Sequence, residues 1–144
     1  MAHPPDEAAV TGDARPQVSL VAFDFDETFY DWIEHFVPAL EAMTMAAAPI
    51  LGVGIADLRE ELREVHRRYQ NTEYPFALLE TAAAQARFGH LDRAGQREAL
   101  APAFAAFDRV RVDRLRLYDD AATAMARLHR EGIPQVGFTA ATSV

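Results

Sequence analysis

Two carboxylates one residue apart, Asp24 and Asp26, with the hydroxyl of Thr28 two positions further on, form the densest set of reactive side chains in the sequence. Acids so spaced can face one crevice where the chain leaves regular structure, one attacking an electrophile while the other handles a proton. A second hydroxyl, Thr139, closes another apolar run from Gln135. A lone pair of acids is a weak signal. Here an apolar run precedes it, a hydroxyl follows it, and a second apolar run ends in a hydroxyl. Other chemistries are excluded by composition. There is no cysteine, hence no thiol nucleophile, zinc-thiolate site or disulfide, and all 14 basic residues are arginine, which removes Schiff-base chemistry. His3, His35, His66, His90 and His129 have no metal-ligand spacing between them.

The elements that must position these residues are legible as patterns. Val18 to Phe23 is apolar and partly β-branched, as in a strand buried on both faces of a parallel sheet. Acids at its carboxyl end fall where open α/β sheets place their ligand crevices. From Asp31 to about Asp108 the pattern is helical, with breaks at Pro49, Gly52 to Gly54, Pro75 and Gly89. Asp31 with Glu34 resembles a capping box, and Pro38 requires a kink or a restart. Ile55, Leu58, Leu62, Val65 and Tyr69 mark one helix face, opposite a face laced with Glu and Arg. Further helices are expected over Phe76 to Arg87 and from Asp92 through Leu100, Phe104 and Phe107. Arg109 to Leu117 alternates basic and apolar residues, the pattern of an edge strand or extended return segment. Asp119 and Asp120 are placed to cap a helix with Ala122, Met125 and Leu128 inward and Gly132 as terminator. A second strand over Gln135 to Thr139 completes half of a βαβ unit.

The 144 residues set a ceiling of one globular domain, and 50% hydrophobic residues supply a packed core. The net charge of -8 repels phosphate polymers and anionic membranes, so neither nucleic acid nor membrane is an expected partner. No apolar run approaches the ~20 residues of a membrane span. Met1 to Pro16, rich in Ala, Pro and acid, reads as a disordered arm without the features of a secretory signal, which gives a cytoplasmic address.

Taken together, Val18 to Thr28 and Gln135 to Thr139 resemble the first two motifs of the haloacid dehalogenase superfamily, an apolar strand followed by DxDxT and an apolar strand ending in Thr or Ser. The resemblance implies an α/β Rossmann-like core, built here from 17–29 and 114–144, with a helical cap inserted over 30–113. It implies that Asp24 is a nucleophile forming an aspartyl-phosphate, that Asp26 is the acid and base, and that Mg²⁺ is held by the other oxygen of Asp24 and by the backbone carbonyl of Asp26. Thr28 would steady the turn, Thr139 and the amide of Ala140 would hold phosphoryl oxygens, and Tyr30 and Trp32 would gate the site or pack between cap and core. Because an alkoxide needs a proton to leave and a halide does not, an acid at position 26 favours a phosphatase acting on a small phosphorylated metabolite over a dehalogenase. Glu27 stands where Gly or Asn is commoner. The family's third and fourth motifs, a basic residue and one or two acids, follow the second strand, and this chain stops five residues after Thr139. The expectation is therefore of a core truncated after its second strand, completed by a missing C-terminal segment, by another chain or by self-association. The alternative is a non-catalytic domain acting as an interaction module.

Overall fold

The apolar run before the acids forms a strand, β1 (Val21–Asp24), which starts three residues later than its composition suggests and includes the first acid. It pairs in parallel with β2 (Gln135–Phe138), Val21 opposite Gln135 and Asp24 opposite Phe138. The computed structural model describes residues 18–139; the expected arm and Ala140 lie outside the described residues.

Between the strands lie six helices. α1 (Trp32–Leu51) is capped as its sequence suggests, Asp31 accepting from the amides of Ile33 at 2.8 Å and Glu34 at 3.2 Å. It runs through both Pro38 and Pro49, so neither proline ends it. α2 (Ile55–Tyr69) buries Leu58, Leu62 and Val65, and its charged face is exposed. The expected helix over Phe76 to Arg87 begins later. Residues 74–80 form turns, and Thr81 caps α3 (Ala82–Phe88), its hydroxyl donating to Leu78 O at 2.8 Å and accepting from Ala84 N at 3.2 Å. Asp92 caps α4 (Arg93–Ala99), and the chain breaks at Leu100 before α5 (Ala101–Arg114). Pro102 explains the break: it has no amide hydrogen to continue α4 and is well placed in the first turn of a new helix.

α5 also corrects the reading of Arg109 to Leu117 as extended. The helix continues to Arg114 because its packing on α1 outweighs a short alternation. Only the tail returns in extended form, Leu117 bridging antiparallel to Tyr30. α6 (Asp119–Arg130) starts after Tyr118 rather than Asp119, with both acids in its first turn where the helix dipole favours them. Gly132, with φ at 71°, follows it as expected.

The hydrophobic core belongs to the helices: Met43, Leu58, Leu62, Leu78, Leu79 and Leu100 form one cluster from α1, α2, the 74–80 turns and the α4–α5 junction. The strand pair is different. Ala22 and Val136 are exposed, Val21 and Phe23 only half-buried, and of the three inward residues expected on α6, Ala122 and Met125 are exposed. Two strands ~5 Å apart are too narrow to cover a helix ~10 Å across, so α6 is not sealed against the described sheet. Among the described residues no single helix is long and apolar enough to cross a membrane.

Candidate active site

After Asp24 the chain leaves the sheet through a tight turn. Phe29 N donates to Phe25 O at 2.9 Å, Thr28 N to the same oxygen at 3.3 Å, and Glu27 N to Tyr30 O at 3.0 Å. The Phe25 ring lies over Gly137 of β2, where a Cβ would come within 2.5 Å of the ring, so glycine leaves the ring its seat. Phe29 is buried, with its ring 5.1 Å from that of Phe23 and 5.6 Å from that of Phe25. Tyr118 N donates to Phe29 O at 2.8 Å, tying the far end of the turn to the segment after α5.

This scaffold holds the two acids unequally. Asp24 is exposed at the strand end, its Oδ1 accepting from Phe25 N at 2.9 Å. Asp26 is half-buried, and Tyr30 Oη donates to its Oδ1 at 2.7 Å. Burial, reinforced by this hydrogen bond and by the charges of Asp26 and Glu73, pushes the Tyr30 phenol up to about 12, with Arg111 acting in the opposite sense. Tyr30 is therefore a neutral donor throughout the neutral range. Thr28 is exposed. Thr139 follows Phe138, the register partner of Asp24, so Asp24 and Thr139 share the carboxyl edge of the strand pair.

Trp32, singled out with Tyr30, is anchored twice: its Nε1 donates to Glu73 Oε1 at 2.6 Å and its backbone N to Glu27 Oε1 at 2.9 Å. Glu73 had no signal in the sequence, since 41 residues separate the partners. His35 was also missed. It is buried with its ring edge-on to Tyr30, centroids 5.1 Å apart, and neither ring nitrogen is hydrogen-bonded among the described residues. Asp26 further lines a cavity in the helical layer that only the tertiary fold creates.

The oxygens of Asp24 and Asp26 suit a hard cation such as Mg²⁺ in kind. They supply part of a coordination shell, the free oxygen of Asp24 and the backbone carbonyl of Asp26; among the described residues no three His, Cys, Asp or Glu side chains converge to complete it.

An α/β chain with an acid pair at the carboxyl edge of parallel strands is the class that fold and site define. A family model described as haloacid dehalogenase-like hydrolase matches residues 18–143, and the chain belongs to that family of hydrolases. Comparison with curated proteins gives no match.

Proposed function

We propose that the chain is a Mg²⁺-dependent phosphatase acting on a small phosphate monoester, with Asp24 as nucleophile, Asp26 as acid and base, and the helices over 30–113 as a cap. The observation that carries the reading is the register of the strand pair, which sets Thr139 beside Asp24 at one sheet edge while the following turn carries Asp26. An Asp24 oxygen attacks phosphorus, the bond to the ester oxygen breaks, and Asp26 gives that oxygen a proton. Asp26 then takes a proton from water, the water oxygen attacks phosphorus, and the bond to Asp24 breaks, releasing phosphate. Tyr30 holds Asp26 through Oδ1, which leaves Oδ2 to carry the proton. Thr139 and the amides after it are the proposed donors to the phosphoryl oxygens. When bound, Mg²⁺ offsets the repulsion between carboxylate and phosphate. The acid at position 26 favours ester over halide substrates, because only the alkoxide leaves with a proton.

The test is hydrolysis of a generic monoester with Mg²⁺ in the buffer. Asp24→Asn is expected to fall to background, since an amide is a poor nucleophile. Asp26→Asn is expected to lose about a hundredfold or more with an alkyl ester and less with an activated aryl ester. Full activity in Asp24→Asn would remove the covalent mechanism.

A further inference from the structure

Asp26 does not face open solvent alone. It lines a half-open cavity of about 720 Å³ bordered by α1, α2, the 71–78 segment and the α4–α5 pair. Five rings share the lining with the acid: Phe36, Tyr74, Phe76, Phe104 and Phe107. Phe36 and Phe107 meet edge to face with centroids 5.6 Å apart, as do Tyr74 and Phe76 at 5.8 Å, while Tyr69 stacks on Tyr74 at 3.8 Å. Leu40 and Met43 add aliphatic surface. Such a lining selects flat, apolar groups through area burial and through the face-and-edge preferences of aromatic pairs.

Polar groups share the lining, Asn71 and Thr72 on the 71–78 segment and the charged residues that follow. Arg97 lies 4.8 Å above the ring of Phe104 and Arg111 5.8 Å from that of Phe107, and neither pairs with a carboxylate among the described residues. Glu73 is committed to Trp32, and Asp108 sits on the same helix as Arg111. His66 also lines the space, and burial pushes its imidazole below the ordinary histidine range, so it adds little charge at neutral pH. The guanidiniums extend the aromatic wall as planar, stackable groups.

We propose that this cavity seats the alcohol part of the substrate and that this part is an aromatic or comparably flat apolar ring system, its ester oxygen reaching Asp26. The proposal rests on the phosphatase reading for the ester, but the ring site stands on the cavity itself. It makes Leu40, Phe104 and Phe107 specificity residues with no part in the chemical step.

The protein carries its own reporter. Trp32 is the only tryptophan in the sequence, and it stacks on the cavity-lining Phe36 with centroids 4.5 Å apart. Titration with naphthol, which has no phosphate, is expected to change Trp32 fluorescence saturably, whereas glycerol gives no change. Leu40→Phe, which fills part of the space, and Phe104→Leu, which removes one ring at nearly constant volume, should each weaken naphthol binding about tenfold. Circular dichroism checks that each variant is folded, and either variant alone suffices. In turnover, naphthylmethyl phosphate, an alkyl ester like glycerol phosphate, should exceed it in kcat/KM by at least about tenfold, and the variants should narrow that ratio. No naphthol response together with equal turnover of both esters would overturn the ring site and leave the phosphatase standing. A variant-sensitive naphthol response with no hydrolysis of any monoester would uphold the ring site and remove the phosphatase reading.

Discussion

Leu58, Leu78 and Leu100 are closed to solvent inside the helical layer, whereas Val136 and Phe138 on β2 are 49% and 61% exposed. The helices hold one another by burial: a leucine-rich cluster spans α1, α2 and α5, with ion pairs such as Glu41 with Arg59 and Glu80 with Arg93 outside it. The strand pair and the turn after it are held by another means. Four ladder positions, backbone hydrogen bonds within 25–30, and the rings of Phe23, Phe25 and Phe29 fix that end of the molecule. Asp24 and Asp26 belong to this lightly buried region. Their geometry is set by directional bonds, so it can be disturbed without unfolding the helices, and the helical core can be damaged without touching an acid.

Core truncations should expose that contrast most strongly. Leu100→Ala removes a fully buried side chain at the α4–α5 junction and is expected to cost about 2–5 kcal/mol. Phe138→Ala takes more atoms from a residue that is mostly in water and is expected to cost less than about 1 kcal/mol. Denaturant unfolding of both variants checks the difference. Equal losses would mean that the strand pair is stabilised as deeply as the helices and would break the comparison.

The same division governs what the sequence made legible. Apolar runs ending in acid or hydroxyl mark β1 and β2, because a strand end is a local event, and the Asp31 cap and the Gly132 terminator are read from neighbours a few positions away. Long-range packing is what escaped. α1 passes through Pro38 while packed on α5, and α5 absorbs Arg109 to Arg114 because Phe107 and Val110, three apart, suit a helix as well as an alternating strand. Within the site, Asp24, Asp26 and Thr139 stood out, whereas the hold of Glu73 on Trp32, the burial of His35 and the ring-lined cavity arise from residues distant in sequence. The sequence marks Tyr30 as a gate or as packing between cap and core; its bond to Asp26 needs the turn geometry that no spacing rule encodes.

Tyr30 joins the two regions, since it reaches back to Asp26 while its ring meets His35 of α1. Its phenol is raised from 10 to about 12, so the unfolded chain ionises first as pH climbs. The contribution to stability is fully present below pH 10 and is lost as pH rises through about 12. Tyr30→Phe should therefore lose less stability across that window than the wild type, and the last-titrating tyrosine should vanish from an ultraviolet absorbance titration. An unchanged alkaline profile would mean that the hydrogen bond to Asp26 does not persist in solution, and that the acid is not held from the helical side.

The smallest effect concerns Glu27, between the two acids. Its φ of 57° places it in the left-handed region, which costs a residue with a Cβ about 1–2 kcal/mol. This is a physical reason for the Gly or Asn that the family resemblance leads one to expect here. The side chain recovers part of the cost, because Glu27 Oε1 accepts from the backbone N of Trp32, an amide in the first turn of α1 with no partner inside the helix. Glu27→Gly relieves the backbone and gives up that bond, so the two terms nearly cancel, with a net change below about 1 kcal/mol. Glu27→Val gives up the bond and adds a β-branched side chain where the left-handed region tolerates it least. The expected order of thermal stability is Gly close to Glu, with Val lower by about 1–2 kcal/mol. If Val proved as stable as Gly, the turn would not require a left-handed residue at position 27, and the placement of Asp26 would rest on the aromatic cluster and Tyr30 alone.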